Sequence, residues 1–305
     1  MPEGWAADLT AADTAAYERR MPPRTDASLR LIAHLDLAAA SGVALHDDKL
    51  YVIADDRLEL AVYDLLGKRT GRIALLPGVL PVEHAARKAH KPDFEALIAL
   101  PDGSLLALGS GSTPQRRRGA WLQLTAAEPE ARAVELADLY AALAGELPEL
   151  NIEGGAVLGS SLYLCSRGNG ARLENALLQL DLERVLRALQ RERRLTADCI
   201  VGLQRVQLGQ LDAVPLSLTD LAVDADGLIF AAAAEASANT YDDGACAGSV
   251  LGRLSRDGHA SDPVTMAAGI KIEGICSAGA RELYAVADAD DPDAQAPLFA
   301  VDWVH

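Results

Sequence analysis

LNIEGGAVLGSSLYLCSRGNG, residues 150–170, is an apolar run opened by a carboxylate, then a small-residue turn and a second apolar run with Tyr163. It leaves abruptly on polar residues at Ser166, Arg167 and Asn169. Short apolar runs on either side of a Gly/Ser turn are the pattern of two antiparallel strands. The same phrase occurs as SGVALHDDKLYVIAD (Ser41–Asp55), EALIALPDGSLLALGS (Glu95–Ser110), EGGAVLGSSLYLCSR (Glu153–Arg167), DLAVDADGLIFAAAAE (Asp220–Glu235) and EGICSAGARELYAVAD (Glu273–Asp288). Turn residues stand near the middle of every copy: Asp47-Asp48, Asp102-Gly103, Gly159-Ser160, Asp226-Gly227 and Gly279-Ala280. A central turn brings the first and last residues of each copy to one end of the hairpin.

A third strand-like segment follows each copy: residues 58–67, 119–124, 175–182, 249–255 and 297–303. Four copies add a fourth, at 71–77, 131–138, 200–209 and 263–269, and the fifth copy has none. The alternating segment Ser28–Leu37 is the obvious replacement. Repeats of four short strands are the signature of propeller blades, and an N-terminal strand that completes the last blade removes two sheet edges. The expectation is an all-β, single five-bladed β-propeller over residues 28–305, preceded by an arm at 1–27. Six blades is the alternative, because the stretch from Asp181 to Thr219 is long. Within it DLERVLRALQRER repeats apolar residues at helical spacing, and ELADLYAALAGEL (Glu135–Leu147) ends in a helical turn; both read as decoration of connections.

The totals bound the function. Half of the 305 residues are hydrophobic, enough for a substantial core, and the formal charge is −16. That balance argues against nucleic acid as a partner and against an anionic membrane surface. No run approaches the roughly 20 apolar residues of a membrane span, and the first 20 residues lack a signal-peptide core, so the expectation is a soluble, cytoplasmic protein. Cys165, Cys199, Cys246 and Cys276 have no CxxC spacing and read as free thiols.

If the hairpins are the innermost pairs, their opening residues Ser41, Glu95, Glu153, Asp220 and Glu273 form a ring at one mouth of the channel, with Asn151 nearby. The closing residues Asp55, Ser110, Arg167, Glu235 and Asp288 form a second circle. Carboxylates in close quarters take up protons or recruit a cation, and hard Ca²⁺ or Mg²⁺ prefers such oxygens. One reading therefore places a divalent metal on Glu95, Glu153, Asp220 and Glu273. The other has these acids accept hydrogen bonds from strand amides and stay hydrated. Arg167 and Lys271, fixed at strand ends, are the cations suited to a small polar or anionic ligand, whereas Arg116–Arg118 read as a solvated loop. His84 and His90 lie in the loop entering the second copy, where a general base is conceivable. Asp242 and Asp243 sit in a segment without a calcium-loop pattern, and no GxSxG, GxGxxG, HExxH or P-loop motif occurs.

The phrases PDFEAL (Pro92–Leu97), LNIEGG (Leu150–Gly155), LTDLAVD (Leu218–Asp224) and KIEGIC (Lys271–Cys276) resemble an uncharacterised family of bacterial β-propeller proteins. More distantly, the acid-Gly opening resembles the phytase-like esterase and gluconolactonase propellers. The latter resemblance implies Glu153 and Glu273 as ligands of a divalent cation, with Glu95 and Asp220 behind them. The chain lacks a clear counterpart of the Asn and Asp that complete a gluconolactonase site. Three functions compete: a module binding a small polar or anionic ligand at the channel mouth through Glu95, Asn151, Glu153, Arg167, Asp220, Lys271, Glu273 and Asp288, with or without a divalent cation; a metal-dependent ester, lactone or phosphoester hydrolase; and a protein-interaction scaffold using the rim.

Overall fold

The computed structural model describes residues 27–124, 128–168, 172–235, 246–261, 263–279, 282–288 and 294–303. The arm at 1–26, Asn169, and Asp242 and Asp243 lie outside them.

The strands assemble into five antiparallel sheets. Blade one holds β2 (Ala40–His46), β3 (Lys49–Ala54), β4 (Glu59–Asp64) and β5 (Arg69–Ala74). Blade two holds β6 (Phe94–Ala99), β7 (Leu105–Gly109), β8 (Arg118–Gln123) and β9 (Glu130–Glu135). Blade three holds β10 (Ile152–Leu158), β11 (Ser161–Ser166), β12 (Asn175–Asp181) and β13 (Ile200–Val206). Blade four holds β14 (Gln210–Leu211), β15 (Val214–Asp224), β16 (Gly227–Glu235), β17 (Cys246–Leu254) and β18 (Val264–Ala268). Blade five combines β19 (Lys271–Ser277), β20 (Glu282–Asp288) and β21 (Pro297–Asp302) with β1 (Ser28–His34), which pairs antiparallel with β21 from Ser28↔Asp302 to His34↔Pro297. The fifth blade is thus closed by the N-terminal strand, as the spare alternating segment implies.

Each repeated hairpin is the inner pair of a blade. The innermost strands touch in sequence, β2 to β6, β10, β15 and β19, and β19 returns to β2. This closes the ring at five. The long stretch after Asp181 is absorbed without a sixth blade by α3 (Leu182–Arg191), β13 and the short β14–β15 ladder.

The core is divided among the five seams between blades, since a sheet must bury both faces. Ile98, Leu106, Leu164 and Leu178 fill the seam between blades two and three; Phe230, Tyr163 and Leu218 fill the next. The seam between blades five and one holds Leu50, Val52, Tyr63, Val286 and Leu298. The two anticipated helices thicken the first of these seams. α2 (Ala137–Leu143) buries Leu139, Tyr140 and Leu143, and α3 buries Leu182, Val185 and Leu189 on one stripe. Asp181 starts α3 by accepting a hydrogen bond from the Arg184 amide. A further helix, α1 (His84–His90), replaces the loop expected ahead of the second hairpin; Glu83 caps it through the amides of Ala85 and Ala86. All four cysteines are free. Among the described residues no helix is long and apolar enough to cross a membrane.

Candidate functional site

Every innermost strand carries one extra residue at the same height. The register slips between Ala40 and Gly42, Phe94 and Ala96, Ile152 and Gly154, Leu218 and Asp220, and Ile272 and Gly274. The bulged residues are therefore Ser41, Glu95, Glu153, Thr219 and Glu273. A β-bulge re-aims one side chain out of the ladder, and Ser41, Glu95, Glu153 and Glu273 all line the polar cavity at the channel mouth. The residue after the bulge meets the neighbouring blades near the axis, and in four of the five blades it is small: Gly42, Ala96, Gly154 and Gly274. A Cβ on Gly154 would collide with Asp220, whose Cα it would meet at 2.5 Å, and one on Gly274 would lie 2.8 Å from the Gly42 Cα.

This register corrects the fourth member of the predicted ring. Thr219, fully buried and with no partner for its hydroxyl among the described residues, stands where Asp220 is expected. Asp220 occupies the post-bulge position. Its Oδ1 accepts from the amides of Gly155 (3.3 Å) and Leu221 (2.7 Å), and its Oδ2 from that of Ile275 (2.8 Å). The carboxylate thereby ties blades three, four and five together. Burial pushes its pKa well above the usual range, against the three amides that favour the anion.

Above it lies a polar cavity of about 90 Å³ whose walls include Asp55, Glu95, Asn151, Glu153, Arg167, Lys271, Glu273 and Asp288. Arg167, with a side chain only 4% exposed, is its hub. One guanidinium nitrogen, Nη1, faces Glu153 Oε2 at 3.3 Å and Glu273 Oε1 at 3.6 Å, and Nη2 donates to Glu235. Lys271 Nζ is 2.9 Å from Glu273 Oε1 and 3.5 Å from Glu235 Oε2. Asn151 donates to the other oxygen of Glu153. Three buried carboxylates thus share two cations. Burial pushes Glu153 up to about 8, with Arg167 opposing the rise and Glu273 adding to it.

The opposite wall is built by residues entering blade two. Asp93 has a positive φ of 56°, a left-handed conformation that Asp tolerates better than most residues. It accepts from Ser110 Oγ (2.6 Å) and pairs with Arg116 (2.7 Å) and Lys91 (2.9 Å). Lys91 also contacts Asp55. Oxygens of Asp55, Asp93 and Glu95 lie within 4.8 Å of one another. Burial raises Asp55 to about 6 against the pull of Lys91, and it pushes Glu95 well above the carboxylate range, helped by Asp93 and Glu153. Glu95 makes no hydrogen bond or ion pair among the described residues.

Of the eight residues assigned to a site from sequence, the structure gathers Glu95, Asn151, Glu153, Arg167, Lys271, Glu273 and Asp288 around the cavity and leaves Asp220 beneath it. The four expected metal ligands do not form one cluster: Glu153 and Glu273 are taken by Arg167 and Lys271, Asp220 by amides. The three-carboxylate cluster shares only Glu95 with them. Arg116, read as solvated, is buried; Arg118 is exposed. His90 turns its Nδ1 to the Ala86 carbonyl (2.7 Å) and is absent from the cavity wall. Asp93 and Lys91 are the residues the sequence reading passed over. Asp93 precedes Glu95 by the offset at which Asn151 precedes Glu153 and Lys271 precedes Glu273, which is the signal that marks it.

A propeller with a charged, carboxylate-rich channel mouth is the class defined by this fold and site. Within that class, residues 36–302 match the model of a family of unknown function (DUF6929), and the chain belongs to that family. No curated protein matches the sequence. Among solved structures, the chain is similar to the glutaminyl cyclase of Myxococcus xanthus, at 13% identity over 92% of this chain and 99% of that one, with a TM-score of 0.52. It is similar also to a catalytically inactive virginiamycin B lyase from Staphylococcus aureus (10% identity, 92% and 100% covered, TM-score 0.44). A third is the Cps50 (Swd1) β-propeller domain from Myceliophteria thermophila (10%, 90% and 99%, TM-score 0.43). At such identities the likeness is one of fold. These matches support a propeller of unknown function and add nothing to the esterase or gluconolactonase resemblance.

Proposed function

We propose that the channel mouth binds a small polar ligand through a divalent cation held by Asp55, Asp93 and Glu95. The carrying observation is the convergence of their three oxygens within 4.8 Å. Carboxylate oxygens are the donors that Ca²⁺ and Mg²⁺ select, and a cation would offset the burial and the repulsion from Asp93 that push the Glu95 pKa upward. Direct capture of an anion by Arg167 or Lys271 is less favoured, because both already face Glu235 and Glu273. Calorimetric and melting titrations with CaCl₂ and MgCl₂ test the reading. Binding by the native chain is expected, weakened about tenfold or more by Glu95→Gln, which removes a ligand charge at constant shape. No heat and no melting shift would overturn it.

A second reading makes the site a metal-dependent hydrolase of esters, lactones or phosphoesters. What favours it is Glu153, whose pKa of about 8 suits a group that gives and takes protons near neutral pH. Turnover of a generic ester, lactone and phosphoester panel, lost in Glu153→Gln, is the result that would select it.

A further inference from the structure

Lys91 sits where the proposed cation would. It follows α1, in extended backbone at the helix C-cap, and its side chain is 12% exposed. Its ammonium lies 2.9 Å from Asp93 Oδ1 and contacts Asp55, two of the three converging carboxylates. Two further observations bear on what happens if it leaves. Arg116 and Ser110 remain on Asp93, so that carboxylate is not stranded. Glu273, in the same cavity wall with its side chain more than nine-tenths buried, leaves Oε2 without a hydrogen-bond partner among the described residues, an acceptor still unmet beside the cluster.

We propose that Lys91 is the specificity-determining residue of this site: a tethered ammonium that excludes monovalent cations and yields only to divalent ones. The inference rests on the cation reading given above. Ca²⁺ binds carboxylate oxygens at about 2.3–2.6 Å, so it cannot share Asp55 and Asp93 with an ammonium already in contact with both. The two occupants exclude each other. Coulomb energy scales with the product of charges. A monovalent ion that replaces the ammonium gains no charge and forfeits the tether, whereas a divalent ion doubles the attraction to the same three carboxylates. Lysine suits the role because its point charge rides on a flexible four-carbon stem that can swing out to solvent, which a fixed arginine fork does less readily.

Two measurements on the full chain test this. First, Lys91→Met removes the charge and keeps most of the stem; it is expected to tighten Ca²⁺ binding by about tenfold or more, in the range of ordinary coupling between sites. The variant is also expected to gain a melting shift from NaCl over choline chloride at equal ionic strength that the native chain lacks. Second, acylation of lysines in the native chain with an amine-reactive ester, read by peptide mass spectrometry, is expected to rise about fivefold or more at Lys91 alone on saturation with Ca²⁺. This measurement does not depend on the variant folding. If the native chain binds Ca²⁺ but Lys91→Met binds it equally, with Lys91 labelling unchanged, the inference is overturned and the cation site stands. If neither protein responds to Ca²⁺, both are overturned. Binding by Lys91→Met alone would mean that the ammonium does not yield to a divalent ion, which overturns the inference together with the cation reading of the native chain.

Discussion

Arg167→Met tests the charge balance of the channel mouth directly. The native guanidinium is 4% exposed and faces Glu153, Glu235 and Glu273. Methionine keeps most of the apolar stem, so the lost quantity is the charge. Removing one partner from a buried ion pair costs about 3–5 kcal/mol, because the remaining charge is left without compensation. At about 2.1 cal/mol/K per residue, a chain of 305 residues unfolds with about 0.6 kcal/mol/K. The melting temperature at pH 8 should therefore fall by about 5–8 °C. The sign of the pH dependence follows from the protons held. A carboxyl whose folded pKa is raised binds more protons folded than unfolded, so stability falls as pH rises from its unfolded value toward its folded one. Burial already pushes Glu153 up to about 8, and loss of Arg167 takes away the cation that opposes the rise. At pH 5 the acids left without their counter-ion are neutralised by protons, so the deficit should shrink there. Differential scanning calorimetry at pH 5 and pH 8 is the assay. A melting point within about 2 °C of native at pH 8, or an equal deficit at both pH values, refutes the assignment of Arg167 as the counter-ion of this cluster.

Two further outcomes concern the scaffold. Gly154→Ala should cost about 3 kcal/mol or more in denaturant unfolding, because the new Cβ meets the Asp220 Cα at 2.5 Å and backbone cannot yield as a side-chain tip does; a cost below about 1 kcal/mol would mean that the blades are looser at the axis than the structure places them. Deleting residues 1–35 removes β1 and bares the edge of β21, so a chain beginning at Asp36 should elute as aggregates on a sizing column while the full chain elutes as a discrete species. An equally discrete profile for the shortened chain would show that the closing strand is dispensable.

How much of this was legible in the sequence depends on which residue each constraint falls on. The hairpin phrase was readable because two separate forces shape it: the bulge selects a residue aimed at the mouth, and crowding at the axis demands a small one next, giving Ser-Gly at 41–42, Glu-Ala at 95–96 and Glu-Gly at 153–154 and 273–274. Blade four breaks the phrase. Aligning on acids put Asp220 in the ring, while aligning on the apolar residue ahead (Ala40, Phe94, Ile152, Leu218, Ile272) puts Thr219 there, because that residue pairs in the ladder just before the slip. Asp93 and Lys91 were hidden differently: they precede the strand, outside the apolar pattern of the hairpin, so only the two-residue offset to Glu95 shared with Asn151 and Lys271 marks Asp93, and no pattern marks Lys91 or the left-handed backbone at Asp93. Arg116 could not be told from Arg118, since only the short 3₁₀ turn at Pro114–Arg116 decides which side chain of the run points inward. The ring acids Glu153 and Glu273 face Arg167 and Lys271, while Glu95 converges with Asp55, the closing residue of the first hairpin, and with Asp93, which lies outside the repeated hairpins. In a repeat fold the copies set the scaffold, so the residues that distinguish one wall of the cavity are those the copies do not share, here Lys91 and Arg116 beside Asp93.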